Sequence, residues 1–142
     1  AADFPNVIGI KEASGNIGQI VELAALAGDR LAIYSGNDDH IVPVLSMGGS
    51  GCISVLSNVV PREAQALCHR FFAGDVAGAA ALQCKLLPLV NVLFSEVNPI
   101  PVNAALAAMG FGKGGVRLPL TPMEESRRAA LLAEMKRLGV LA

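Results

Sequence analysis

Three short apolar runs, Val7 to Glu12, Leu31 to Gly36 and Gly51 to Val55, have the length and residue types of β-strands. Each leads into apolar positions at helical spacing. After the first run, Ile17, Ile20, Val21 and Ala24 form such a stripe, and Gly28 is placed to end the helix. After the second, Asn37, Asp38 and Asp39 supply cap residues for a helix through Leu45, with Pro43 near its first turn. After the third, Pro61 suits a first helical position, and Ala64, Leu67, Cys68, Phe71 and Phe72 make an apolar stripe that stops at Gly74. The strand starts recur about every 20–25 residues, the interval of βα units around a parallel sheet.

From Asp75 onward the alternating pattern is gone and only helical periodicity remains. One helix is predicted from about Val76 to Phe94, with a possible bend at Pro88, and a second from Asn98-Pro99 to Gly110. Gly112 to Pro119 is a glycine-rich loop. Thr121-Pro122-Met123-Glu124 then reads as a capping box, with Thr at the cap, Pro at the first helical position and Glu at the third. Glu124 and Glu125 sit at the positive end of that last helix, Lys136 and Arg137 at its negative end before Gly139. The pattern therefore divides into residues 1–74, three βα units, and residues 75–142, a region of three helices. Three parallel strands alone leave two edges and an apolar face to be covered, so self-association is expected.

The most informative segment is Val7-Ile8-Gly9-Ile10-Lys11-Glu12. Strand alternation sends Ile8, Ile10 and Glu12 to one face and Val7, Gly9 and Lys11 to the other. A lysine on the apolar inner face, near the C-terminal end of a strand, has a chemical use. Its neutral amine can attack a ketone, and the protonated imine so formed withdraws electrons from the adjacent carbon, which becomes an enamine nucleophile. The bland alternative is a solvated lysine at a strand end, and alternation alone does not separate the two.

Composition narrows the field. Of the 142 residues, 53% are hydrophobic and 16% charged, with a net charge of -1. No basic stripe interleaved with aromatics is present, so nucleic acid is not an expected partner. Cys52, Cys68 and Cys84 contain no CxxC pairing and read as reduced thiols of a cytoplasmic protein. His40 and His69 lack nearby ligand-type clusters, so no metal site is expected. The uncharged stretch from Ile41 to Pro61 has the length of a membrane span, but Ser46-Met47-Gly48-Gly49-Ser50-Gly51 breaks it into helix, turn and strand. No signal peptide is visible, and Ala1-Ala2-Asp3-Phe4-Pro5 enters a strand at once, as in the middle of a longer protein.

Five blocks carry a family resemblance: Ile8-Gly9-Ile10-Lys11-Glu12-Ala13-Ser14-Gly15-Asn16, Tyr34-Ser35-Gly36-Asn37-Asp38, Gly48-Gly49-Ser50-Gly51-Cys52-Ile53-Ser54-Val55, Asn98-Pro99-Ile100-Pro101-Val102, and Arg117-Leu118-Pro119-Leu120-Thr121-Pro122. In this order and at this spacing they resemble the C-terminal half of the dihydrodipicolinate synthase family, the class I Schiff-base lyases built on a (β/α)8 TIM barrel. The resemblance implies an α/β fold, the last three βα units of such a barrel followed by a C-terminal three-helix region. It implies a reaction of pyruvate with aspartate semialdehyde on the route to diaminopimelate and lysine. Lys11 would be the catalytic residue that binds pyruvate as a covalent imine, with no other cofactor. Ile53 would line the pyruvate pocket, Gly36 would form its wall, and Asn98 would mark the helical appendage near the barrel mouth. Ordinary strand packing and turn formation also account for Ile53 and Gly36, and a helix cap accounts for Asn98.

The chain departs from the family pattern at Asn37, where an acidic residue is frequent, and at Asn103, where a lysine is frequent. The family's first five strands, with the threonine and tyrosine proton relay and the arginine that recognises the aldehyde, have no counterpart in these residues, and Tyr34 is on the wrong strand for that relay. Two other readings stay open. One is a sibling activity, an N-acetylneuraminate lyase or a keto-deoxy sugar acid aldolase using the same lysine. The other is a catalytically inactive relative acting as an oligomerising or binding module.

Overall fold

The computed structural model describes residues 3–142. It is an α/β structure with a three-stranded parallel sheet in the order β1-β2-β3. The strands are β1 (Gly9–Glu12), β2 (Ala32–Ser35) and β3 (Gly51–Cys52); the helices are α1 (Ile17–Ala27), α2 (Ile41–Ser46), α3 (Pro61–Phe72), α4 (Val76–Leu93), α5 (Ile100–Ala108) and α6 (Glu125–Arg137). The strands are shorter than the apolar runs that encode them, and β3 keeps only two ladder residues. Backbone bonds carry the pairing further: Ile53 N–H donates to the Ser35 carbonyl at 2.8 Å, and Gly36 N–H to the Glu12 carbonyl at 2.6 Å.

The chain forms two compact units. The first comprises residues 3–54 and 65–83, the second residues 55–64 and 84–142. In the first, Ile20, Ala27, Ile33 and Val44 form a buried cluster, with Leu23, Ala24 and Leu31 packed against it. Ile33 is the central strand's contribution, and Ile20 and Ala27 come from the crossover helix α1, whose apolar stripe thus covers the sheet. Asn16 caps α1 by accepting the Gln19 N–H at 3.3 Å. Gly28 ends it at φ 51°, in the left-handed region that only glycine enters without steric penalty.

The stretch after β2 differs from its sequence reading. A 3-10 turn at Asp38–His40 precedes α2, and Asn37 makes no side-chain cap bond. Instead the Ser35 hydroxyl donates to the Asn37 carbonyl at 2.8 Å. Gln83, on the N-terminal part of α4, pins this corner by donating to the Asp38 carbonyl at 2.7 Å and accepting the Val42 N–H at 3.3 Å. These bonds satisfy backbone groups that a buried turn would otherwise leave unpaired.

In the second unit, Leu86, Leu89, Val90 and Leu93 of α4, Ile100, Val102 and Ala105 of α5, and Leu131 and Met135 of α6 are buried. Pro88 lies inside α4. By length and hydropathy α4 meets the requirement for a bilayer span, with 33% of that window buried in the protein; core helices pass the same test. The expected capping box is corrected here. Thr121, Pro122 and Met123 precede α6, and Glu124 is itself the cap. Its backbone is extended at φ -61° and ψ 136°, and its carboxylate accepts the N–H of Ser126 at 2.9 Å and of Arg127 at 3.1 Å. A two-oxygen carboxylate can satisfy two orphan N–H groups where a threonine hydroxyl satisfies one. The Ser126 hydroxyl and N–H, followed by the Arg127 N–H and charge, hold the Glu124 carboxyl below its ordinary value.

A carboxyl depressed in the folded state contributes stability above its unfolded pKa, and that contribution disappears as pH falls through the folded pKa. Wild type should therefore exceed Glu124→Ala in urea resistance at neutral pH, and the gap should close in acid. Urea unfolding followed by helical circular dichroism across pH tests this; a gap that is constant with pH contradicts the charged cap.

Candidate functional site

Parallel pairing aligns Gly9 with Ala32, Ile10 with Ile33, Lys11 with Tyr34 and Glu12 with Ser35; Tyr34 then aligns with Gly51 and Ser35 with Cys52. Because paired residues share a face, two rows follow. Lys11, Tyr34 and Gly51 lie on one face. Glu12, Ser35 and Cys52 lie on the other, the face of Ile10 and Ile33 that meets the helices.

The buried members of the second row are Glu12 and Ser35. Glu12 accepts the Ser14 N–H at 2.9 Å and so shapes the turn that follows Lys11. Asn16 N–H donates to the Ser14 hydroxyl at 3.1 Å, which leads the chain into the α1 cap. The segment Lys11-Glu12-Ala13-Ser14-Gly15-Asn16 is thus a strand end held by its own side chains.

Gly36 extends β2 by one residue on the Lys11 face. A Cβ placed there would lie 2.9 Å from both Cγ and Cε of Lys11 and 2.7 Å from the Ala13 Cβ. Gly36 is buried under the lysine stem, so the space that a side chain would occupy is filled by Lys11 itself. A Cβ on Gly51 would lie 3.5 Å from the Tyr34 ring, so the tyrosine lies over that glycine. Ile53, two residues beyond Gly51 on the same face by alternation, is 48% exposed.

Lys11, Gly36 and Ile53 therefore belong to one face, at the C-terminal end of the sheet. Lys11 and Ile53 are exposed and Gly36 is buried. Tyr34, set aside on sequence grounds, is the residue paired directly with Lys11. Each is the third residue of its strand, a match hidden in the sequence, where the apolar runs start at Val7 and Leu31 and place them fifth and fourth. Among the described residues no group of three or more His, Cys, Asp or Glu side chains is placed to hold a metal ion. What this face offers is a primary amine beside a phenol, a glycine under the lysine stem and an apolar side chain.

A family profile described as the dihydrodipicolinate synthetase family matches residues 1–138. A 4-hydroxy-tetrahydrodipicolinate synthase from Clostridium perfringens is 50% identical over 140 residues, covering 99% of this chain and 48% of that protein. One of the same name from Caldicellulosiruptor saccharolyticus is 56% identical over 128 residues, covering 90% of this chain and 43% of that protein. Among solved structures, dihydrodipicolinate synthase from Thermotoga maritima superimposes with a TM-score of 0.95 at 43% identity, covering 99% of this chain and 48% of that one. The chloride-inhibited dihydrodipicolinate synthase from Acinetobacter baumannii, complexed with pyruvate, gives 0.93 at 38% identity with the same coverage. The chain spans about half the length of the curated relatives it matches.

The close approach at Gly36 yields a prediction. Gly36→Ala must push the Lys11 stem or the Ala13 methyl aside, and overpacking of this kind costs about 1–3 kcal/mol. Urea unfolding should show that loss, and amine-selective labelling should show a changed rate at Lys11. Unchanged stability and labelling would mean that Lys11 does not rest on Gly36.

Proposed function

Since the chain belongs to the dihydrodipicolinate synthetase family, we propose that it carries the imine-forming part of a pyruvate-dependent carbon–carbon lyase, with Lys11 as the catalytic amine. Residues 1–74 are then the last three βα units of a (β/α)8 barrel, and residues 75–142 its helical appendage. The supporting observation is the packing of Lys11 over Gly36, on the sheet face opposite the helix-covered one.

In this reading the neutral amine adds to C2 of pyruvate, and the carbinolamine takes up a proton from solvent and loses water to give a protonated imine. Loss of a proton from C3 gives an enamine, which attacks the aldehyde carbon of aspartate semialdehyde. Gly36 leaves room for the Lys11 stem, Ile53 supplies apolar contact to the pyruvate methyl, and the imine is the only cofactor-like group the chemistry needs. Proton transfer and capture of the substrate carboxylate call for further positioned groups, which supply much of the rate in such reactions. The exposure of Lys11 favours a second reading, a binding or oligomerising module without turnover.

Incubation with pyruvate and borohydride, followed by peptide mass spectrometry, separates the two. The lyase reading expects a reduced pyruvate adduct on Lys11 that is absent from Lys11→Arg. A folded protein without adduct supports the module.

The same reading assigns a partner surface. Ile8, immediately before β1, which among the described residues pairs only with β2, is 78% exposed, and with Phe4, Val7, Leu23, Leu26 and Leu31 it lines an open groove of about 510 Å³. A second copy that covers this apolar edge removes it from water. Sedimentation velocity at micromolar concentration should show a species heavier than the monomer, and Ile8→Asp should shift it toward the monomer. A compact monomer for both proteins would refute the pairing.

A further inference from the structure

On the helix-facing side of the sheet, Cys52 of β3 lies opposite Cys68 of α3, with the two sulfurs 3.9 Å apart. Both residues are partly exposed, whereas Cys84 is exposed. Neither thiol has a part in the imine chemistry. We propose that Cys52 and Cys68 form a peroxide-sensitive dithiol that closes to a disulfide between β3 and α3.

The surroundings set the order of events. The hydrogen bond with Cys68, then burial, then the charges of Cys68 and Asp38 raise the Cys52 thiol, so Cys52 stays protonated. Either thiol can donate in the contact between them; with Cys52 as the donor, that hydrogen bond holds the Cys68 thiol below its ordinary pKa. Cys68 is therefore the nucleophile, since the thiolate and not the thiol attacks. The Cys68 thiolate takes one oxygen of hydrogen peroxide and releases hydroxide, giving a sulfenic acid. Cys52, no longer facing a Cys68 thiolate, gives up its proton as its sulfur attacks the sulfenic sulfur, and the S–OH bond breaks with the hydroxide leaving as water on that proton. Two thiols lose two electrons in total, and one peroxide becomes two waters.

The approach from 3.9 Å to bonding distance requires a small movement between β3 and α3. The resulting tie pins the strand at the residue immediately before Ile53. This chemistry is independent of the imine reading, because it needs neither Lys11 nor a keto acid.

The test uses the full chain, hydrogen peroxide and non-reducing tryptic mapping. Cleavage after Arg30, Arg62 and Arg70 places Cys52 in peptide 31–62 and Cys68 in peptide 63–70. The expected product is this pair of peptides joined and two hydrogens lighter, formed at a rate independent of protein concentration and reversed by dithiothreitol. Cys84 remains open to alkylation in that product. In Cys52→Ser, dimedone should trap a sulfenic acid on Cys68; in Cys68→Ser, Cys52 should remain unmodified on the same timescale. Linked peptides absent from oxidised wild type, or sulfinic acid on Cys68 in their place, would overturn the dithiol. Equal oxidation of the two serine variants would overturn the assignment of Cys68 as the attacking sulfur.

Discussion

Everything in the first unit follows from the register of three short parallel strands. A shift of one residue in β1 against β2 would send Lys11 to the helix side and Glu12 to the open side. The aligned pairs Lys11 with Tyr34 and Glu12 with Ser35 exclude that arrangement. What fixes the register is burial on one face. Ile33 must meet Ile20, Ala27 and Val44, and only one phase of the alternation puts it there. Apolar packing behind the sheet therefore determines which polar groups stand in front of it.

The strand ends need separate support, because β3 has only two ladder residues and the connections that follow are irregular. A polar layer supplies it. Glu12 holds the turn after β1, Ser35 holds the Asn37 carbonyl after β2, and Gln83 reaches the Asp38 carbonyl and the Val42 N–H. Each bond satisfies a backbone group at the sheet end where Lys11 and Gly36 lie. Positioning of the amine is thus shared between the apolar core and a few side chain–backbone bonds, and the Glu12, Ser35 and Gln83 side chains that make them are buried.

The parts legible in the sequence are those set by local periodicity. Period-two alternation placed Lys11 opposite Ile10, and helical stripes located all six helices to within a few residues. Strand lengths were overestimated, since apolar runs mark burial while ladder bonds mark pairing. The α6 cap was misplaced by three residues because Thr-Pro-x-Glu matches a capping box in words, whereas Glu124 satisfies both Ser126 and Arg127 with one carboxylate. The two thiols were unreadable as a pair. They stand 16 residues apart with no motif between them, and only a strand followed by the helix that covers it brings them together.

One demand of stability and one demand of chemistry coincide on the open face of the sheet. Parallel sheets are ordinarily covered on both faces, and here the helices that bury Ile33 cover one. Lys11 and Ile53 are exposed on the other, and the β1 edge exposes Ile8. Apolar cover over that face would gain free energy from Ile53 and from the Tyr34 ring, and it would remove water from the amine in the same step. Lys11 and Ile53 share that face, so a surface laid over the apolar side chain also covers the amine on which the proposed imine chemistry rests.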